Sequence, residues 1–164
     1  MLRRAADADR EPVLTWRNHQ KVREVSFTTH EIGAGEHDRW WRAVDADDAR
    51  RLLVYENAGL PGGVVSFFDH DPVRGEAMWG FYLDIDGLTA RGRLLESWFE
   101  IEAEAVAYAL GEMRLTTLRA EALESNRAVR ALHRRYGFAE TGGYDREIDG
   151  VPRPVVTLEL AADQ

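Results

Sequence analysis

The stretch that decides the fold of this chain is Glu124-Ser125-Asn126-Arg127-Ala128-Val129-Arg130-Ala131-Leu132-His133-Arg134-Arg135-Tyr136-Gly137-Phe138. Ser125 or Asn126 can cap a helix over 127–136, because a short polar side chain accepts hydrogen bonds from the free N–H groups of a first helical turn. Gly137 stands where helices commonly end in a left-handed residue. The stretch therefore predicts a short, capped helix that stops before Phe138.

Before and after this helix the apolar pattern changes its period. Short runs of aromatic and β-branched residues, separated by turns rich in glycine and proline, predict strands. A strand–helix–strand crossover from 77–83 to 116–122 predicts that these two strands are parallel. The predicted strands are 52–55, 64–68, 77–83, 116–122 and 155–160, and the predicted helices lie in the N-terminal third, including 36–44, and at 93–110.

Composition sets the broad class of the protein. The chain has 164 residues, a formal net charge of −8 and no cysteine, which fits one domain over 1–164 and excludes disulfides, thiolate zinc sites and thiol nucleophiles. The acidic balance argues against a non-specific nucleic-acid binder, which needs a cationic surface. No apolar run reaches the ~18 residues of a membrane span. We therefore expect a cytoplasmic protein that binds neither nucleic acid nor membrane.

The pattern within 124–138 resembles the N-x-x-A-x-x-L-[Y/H]-x-x-x-G-F signature of the GNAT superfamily, the acyl-CoA-dependent N-acetyltransferases. The resemblance implies an α/β fold with a mixed, mostly antiparallel central sheet and helices on both faces. It also implies acetyl-CoA as cosubstrate, no metal, and direct transfer of an acetyl group to a primary amine without a covalent enzyme intermediate. The residues that carry it are Asn126, Leu132, His133, Gly137 and Phe138, with Ala128 close to its expected place.

Three further motifs narrow the resemblance: Trp16-Arg17-Asn18, His37-x-x-Trp40-Trp41 and Trp79-Gly80-Phe81-Tyr82. Together they look like the branch that acetylates nucleotide-linked 4-amino-4,6-dideoxy sugars, as in pseudaminic acid biosynthesis. That branch implies a sugar-nucleotide acceptor bound by Trp16, Arg17, Asn18 and Trp79. Two alternatives stay open: an enzyme that acetylates protein N-termini or ribosomal proteins, and a GNAT-like binding module without catalysis. The oligomeric state, a homodimer included, also stays open.

The loop expected to hold the pyrophosphate of CoA departs from the superfamily pattern. One alignment places Ala90-Arg91-Gly92 on this loop, and a second begins at Arg93 and loses both glycines. The first is preferred because Gly92 allows close backbone approach. Arg91 and Arg93 then flank a helix N-terminus, whose free N–H groups attract anions. The resemblance implies that acetyl-CoA, the acetyl donor, is also contacted by Phe81, Tyr82, Leu83, Asn126 and Arg130.

His133 is the candidate catalytic residue, because it stands where the superfamily usually carries the tyrosine that protonates the leaving thiolate. An imidazole can donate that proton near neutral pH. The alternative is a half-buried packing histidine, with water as the proton donor. The general base is not identified, although His30, Glu31 and Asp84 are candidates. Solvent-facing positions are expected for His19, His37, His70, Glu96, Glu100, Glu102 and Glu104.

Overall fold

The computed structural model describes residues 1–163, which form one seven-stranded sheet flanked by helices. None of the helices in this part of the chain combines the length and the apolar character needed to cross a membrane. The strands are β1 (Leu2–Arg4), β2 (Arg51–Asn57), β3 (Leu60–Asp71), β4 (Glu76–Leu83), β5 (Thr117–Leu123), β6 (Ala139–Ile148) and β7 (Val151–Ala161). The helices are α1 (Arg10–Arg17), α2 (Gln20–Arg23), α3 (Ala34–Asp45), α4 (Ile85–Ala90), α5 (Leu94–Leu110) and α6 (Arg127–Arg135).

The strands lie in the order β1-β2-β3-β4-β5-β7-β6. Every neighbouring pair is antiparallel except β4 and β5, which are parallel. The predicted three-strand meander is confirmed as β2, β3 and β4, and the predicted parallel crossover is confirmed as β4, α5 and β5. The sheet is therefore the mixed, mostly antiparallel one that the sequence predicts.

Two edge strands, β1 and β6, lie outside the sequence predictions. β1 has only three residues, too few for an alternating pattern, and it forms by pairing with 53–55 of β2. In β6 the residues 139–147 are all exposed, so the strand lacks the alternation that marks a half-buried strand. Its pairing with β7 sets its register. Both strands thus depend on their partners rather than on a pattern of their own.

An apolar layer covers each face of the sheet. On one face Trp79 of β4 packs in the same cluster as Ile101 of α5. On the other face Trp16 of α1 and Trp41 of α3 form a second cluster, against which Tyr82 of β4 packs. The alternation of β4 therefore sends Trp79 and Tyr82 to opposite faces, as predicted.

His37 is buried, and its prediction as a solvent-facing residue is wrong. Its Nε2 donates a hydrogen bond to the carbonyl of Arg10 (2.8 Å), and its ring stacks on Trp40 with the centroids 5.6 Å apart. The ring thereby joins α3 to the start of α1. His19 is also engaged, because its Nε2 lies 3.0 Å from a carboxylate oxygen of Asp86.

The parallel ladder between β4 and β5 is short. It contains three register pairs and ends at Met78 and Arg119. Beyond this point β4 continues over 79–83 paired only with β3, and β5 continues over 120–123 paired only with β7. The sheet therefore opens between these two segments, and the backbone groups of 79–83 that point away from β3 have no strand partner among residues 1–163.

Candidate active site

A cavity of about 560 Å³ fills the opening between β4 and β5. Part of its wall comes from α5 and α6, and part comes from α2, which follows the helix packed on the opposite face of the sheet. The cavity thus has a wall from each side of the sheet. Its lining includes residues 79–83, Leu94, Leu95, Trp98, Glu121, Ala122, Asn126, Ala128, Val129, His133, Lys21, Val22, Val25 and Ser26.

His133 lies in the cavity wall, where it is buried rather than placed at a rim. Only 4% of the residue is exposed. The imidazole packs against Trp79 with centroids 5.4 Å apart and against Phe138 at 5.0 Å. Its Nδ1 lies 2.7 Å from Oε1 of Glu102. Because Nδ1 is engaged, Nε2 is the ring nitrogen left for a bound molecule.

Glu102 of α5 is fully buried, so its prediction as an outward-facing carboxylate is wrong. The prediction failed because α5 is apolar over more than one stripe, and Glu102 lies next to the buried Ile101 and one turn before Ala105. Burial raises the pKa of the Glu102 carboxyl. Its second oxygen, Oε2, is buried and makes no hydrogen bond within the described chain.

The start of α5 has the geometry of an anion site. Gly92 has a φ of +67°, in the left-handed region, and no side chain caps the helix that begins at Leu94. The first-turn N–H groups of a 17-residue helix are therefore free for a ligand. Arg93 lies 3.1 Å from the carboxylate of Glu96, whereas Arg91 forms no ion pair with any residue in 1–163.

The two residues of α6 and its N-cap that were predicted to contact acetyl-CoA, Asn126 and Arg130, lie in different surroundings. Asn126 lines the cavity and caps α6, with its Oδ1 accepting the N–H of Val129 (3.3 Å). Arg130 lies outside the cavity lining. Its guanidinium donates to the carboxylate of Glu140 (2.8 Å) and to the carbonyl of Glu124 (2.7 Å). Arg130 therefore ties α6 to β6 instead of facing the cavity.

The four predicted residues of β4 all line the cavity. Trp79 presents an indole whose Nε1 is buried and has no hydrogen-bond partner among the described residues. Phe81 packs edge-on against Trp98, with centroids 5.6 Å apart. The side chain of Tyr82 lies on the other face, and burial raises the pKa of its phenol. With Leu83, these residues form the strand wall along the open edge of β4.

The residues of the predicted Trp16-Arg17-Asn18 corner are not part of the cavity lining, and their three side chains have different surroundings. Trp16 is a core residue, and Asn18 holds the backbone of Ile32 through a pair of hydrogen bonds of 2.7 and 2.8 Å. One terminal nitrogen of Arg17 donates a hydrogen bond to the carbonyl of Thr28 (2.9 Å), while the other is buried without a partner in the described part of the chain. Burial lowers the pKa of the Arg17 guanidinium. Arg17 therefore has a buried polar atom without a partner among residues 1–163.

None of the three candidate bases, His30, Glu31 and Asp84, belongs to the cavity lining. The cavity instead contains Glu121 of β5, a carboxylate that accepts a hydrogen bond from the hydroxyl of Tyr144. Sequence reasoning missed Glu121, although an acidic residue inside a strand that leads into the 124–138 stretch was a usable signal. Residues 1–163 contain no group of three potential ligands arranged for a metal ion.

Comparison with known proteins gives a family and a set of similar folds. The family model described as "Acetyltransferase (GNAT) domain" matches residues 1–139. The spermidine N-acetyltransferase of Vibrio cholerae, solved with CoA and spermine, has a TM-score of 0.84 at 18% identity, over 98% of this chain and 94% of that chain. A ribosomal-protein-alanine N-acetyltransferase from Brucella melitensis has a TM-score of 0.75 at 22% identity, over 99% of each chain. No curated protein matches significantly.

The family match covers most of the chain, and the sheet that opens between β4 and β5 agrees with the fold that the resemblance implied. The narrower resemblance to the amino-sugar branch is not supported by these matches. The cosubstrate is acetyl-CoA. This chain belongs to the GNAT acetyltransferase family, and it is an acetyl-CoA-dependent N-acetyltransferase.

Proposed function

We propose that the enzyme holds acetyl-CoA and an amine acceptor together in the cavity between β4 and β5, the donor beside α5 and α6 and the acceptor beside α2. The observation that carries this proposal is the cavity wall drawn from both sides of the sheet. Two substrates can then meet at the open edge of β4 without a covalent enzyme intermediate. Holding both reactants in one site lowers the entropic cost of the reaction.

The pyrophosphate of the donor would lie at the start of α5. The uncapped first turn supplies free N–H groups, and Gly92 leaves room for close approach. Arg91 supplies a cation that has no ion-pair partner in the described part of the chain. The arm of acetyl-CoA that carries the acetyl group, called the acyl arm below, would then run along 79–83. There, unpaired backbone N–H groups can stabilise a tetrahedral oxyanion.

Glu121 and His133 are suited to the two proton transfers. The amine nitrogen attacks the thioester carbon, an N–C bond forms, and Glu121 receives the proton that the nitrogen loses. The C–S bond breaks, its electron pair stays on sulfur, and His133 supplies a proton to the thiolate. Both side chains line the same cavity, where each can come within the hydrogen-bond reach of the reacting groups that general acid–base catalysis requires.

The acceptor that fits best is a primary amine on a molecule that also carries a negative charge, and a nucleotide-linked amino sugar is such a molecule. Lys21, the only lysine of the chain, lines the acceptor side of the cavity. Within the described lining Glu121 is the only acidic side chain. A polyamine carries several positive charges, which carboxylates would pair, whereas a phosphate group is attracted by Lys21.

An acceptor panel tests this proposal. Release of free CoA is measured with a UDP-linked 4-amino-4,6-dideoxy sugar, with spermidine and with a peptide that begins with alanine. We expect the sugar nucleotide to have a kcat/KM at least about tenfold higher than spermidine. Lys21→Gln should raise the KM of the sugar nucleotide and leave the Kd of acetyl-CoA unchanged. Faster turnover of spermidine or of the peptide would assign a different acceptor class.

Two expectations remain predictions: a cytoplasmic location and the homodimer that the sequence left open.

A further inference from the structure

Glu102 and His133 form a buried acid–imidazole pair in the wall of the cavity. The Glu102 side chain is completely inaccessible, its Oε1 lies 2.7 Å from Nδ1 of His133, and its Oε2 has no hydrogen-bond partner among the described residues. A buried carboxylate normally accepts several hydrogen bonds, because burial of an unpaired charge is costly. A carboxyl group with a single partner calls for a reason other than packing.

Among residues 1–163, no other charged group forms an ion pair with Glu102 or His133. β4 and Phe138 present only aromatic rings to the imidazole. Most of the charged groups on α5, α6 and β5 have partners elsewhere. Those partners are Glu140 for Arg130 and Arg134, the N-terminal amino group for Glu104, the ring of Phe99 for Arg135, and both Glu76 and Glu159 for Arg119. Glu121, which accepts a hydrogen bond from Tyr144, and Lys21 share the cavity with the imidazole.

We propose that Glu102 is a positioning residue that keeps a proton on Nε2 of His133, the nitrogen facing the cavity, so that this imidazole delivers it to the leaving thiolate. The inference rests on the proposed function for the transfer step. The proton on Nε2 of His133 should also be present in the resting enzyme, where it can be measured without any acceptor.

The number of protons that the pair holds explains how Glu102 keeps a proton on Nε2 of His133. With one shared proton and an Nε2–H, the pair is either Glu102 carboxylate with imidazolium or Glu102 carboxylic acid with neutral imidazole. In both forms Nε2 carries hydrogen, and the pair has no net charge. Loss of one proton leaves a carboxylate that accepts from Nδ1–H, a bare Nε2 and a net charge of −1.

Burial penalises the charged form of the pair and favours the neutral one. The same effect raises the pKa of the Glu102 carboxyl. The neutral form of the pair, in which Nε2 carries hydrogen, is therefore the favoured form. During transfer the Nε2 proton passes to the thiolate, the proton between Nδ1 and Glu102 stays within the pair, and water later restores the proton on Nε2.

The test is nitrogen NMR of the histidine side chains in the whole enzyme, titrated from pH 5 to 10 without substrate. His133→Gln assigns the His133 signals by their disappearance. We expect Nε2 of His133 to carry a proton at pH 7 in the unmodified enzyme. Glu102→Gln should lower the pKa of His133 by at least about one unit, a tenfold change in its proton affinity. Glu104→Gln, a change of the same type on the same helix, should leave it unchanged.

The kinetic counterpart is the pH profile of kcat. Glu102→Gln should move the alkaline limb to lower pH by the same amount as the NMR titration, with the KM of acetyl-CoA unchanged. A bare Nε2 at pH 7 in the unmodified enzyme would overturn the inference even if Glu102→Gln did not fold. An unchanged His133 titration in a folded Glu102→Gln enzyme would also overturn it. Failure of the acceptor panel would leave the NMR result intact, so the two proposals fail separately.

Discussion

Met78 of β4 and Arg119 of β5 are the last residues that face each other across the parallel ladder. The strands part there because each is held by its other neighbour, β4 by β3 as far as Leu83 and β5 by β7 as far as Leu123. Arg119 reinforces this point through an ion pair of 3.3 Å with Glu76. The opening that forms the candidate active site is therefore built into the sheet, between paired strands rather than between loops.

A bulky side chain in this opening should exclude the donor. Ala128 lines the cavity from the first turn of α6, whereas Ala131, three residues later, is exposed and outside the lining. Ala128→Phe should weaken acetyl-CoA binding at least about tenfold, which corresponds to ~1.4 kcal/mol. Ala131→Phe on the same helix should bind normally. Calorimetric titration with acetyl-CoA measures both, and equal affinities would place the acyl arm elsewhere.

The arginines at the start of α5 should make donor binding sensitive to salt. Arg91→Ala combined with Arg93→Ala should lower the affinity for acetyl-CoA and flatten its dependence on ionic strength, because exposed charges are screened. Of the two single variants, Arg91→Ala should have the larger effect, since Arg93 must first leave Glu96. Arg39→Ala combined with Arg42→Ala, both exposed on α3, is the matched control. Unchanged affinity in the first double variant would locate the pyrophosphate elsewhere.

Releasing Arg93 should have the opposite effect. The Glu96 carboxylate also accepts a hydrogen bond from Asn57 (3.2 Å), and together with Arg93 this lowers the pKa of Glu96. Glu96→Gln removes a negative charge next to the proposed pyrophosphate site, so the Kd of acetyl-CoA at low salt should fall. The same titration measures it, and a weaker complex would contradict this assignment of the α5 start.

Two glycines on neighbouring strands should respond differently to an added methyl group. At Gly63 of β3 a Cβ would lie 2.9 Å from the carbonyl oxygen of Tyr82 and 3.2 Å from the side chain of Ile101, so backbone or helix must move. Gly63→Ala should therefore reduce the free energy of unfolding by about 1–3 kcal/mol. At Gly80 of β4 a Cβ meets no atom within 4 Å, and Gly80→Ala should be neutral or stabilising. Urea unfolding distinguishes the two, and equal losses would contradict this packing argument.

Much of the fold was predictable because its elements carry strong periodic signals. The capped helix after Asn126, the long helix that ends before Gly111 and the three strands of the meander each follow from local residue patterns. β6 was not predictable, because its residues 139–147 are exposed and only pairing with β7 makes them a strand. The contact between Glu102 and His133 could not be predicted from local sequence either, because it forms only when α6 packs against α5.

In the candidate active site, too, some residues were predictable from local patterns and others depended on tertiary packing. Residues 79–83, Asn126 and His133 line the cavity as the resemblance implied, because they lie on elements whose register the 124–138 stretch and the meander define. Arg130 and Trp16 do not line it, because a helix position shows neither which ion pair nor which core a side chain joins. Charged and aromatic residues near a motif therefore need the tertiary structure before they receive a role.

The ion pair between Asp9 and Arg3 should make stability depend on pH. Asp9 is buried, and its carboxylate accepts bonds of 2.8 and 2.9 Å from Arg3 and one of 2.8 Å from the N–H of Ala6. The guanidinium of Arg3 holds the pKa of Asp9 below its usual value. A carboxyl whose pKa is lowered by folding stabilises the protein above its unfolded pKa of about 3.9, and that stabilisation disappears as the pH falls through the folded pKa.

Asp9→Asn should therefore lower the free energy of unfolding by about 1–3 kcal/mol at pH 7. The loss should stay constant down to pH 5 and shrink below about pH 4, where the unmodified protein also loses the charge. Asp38→Asn removes an exposed partner of Arg10 and should cost less than about 0.5 kcal/mol at any pH. Urea unfolding between pH 3 and 7 measures both variants. An Asp9→Asn loss of the same size at pH 3 and pH 7 would mean that the side chain stabilises the fold through shape and hydrogen bonding, not through its charge.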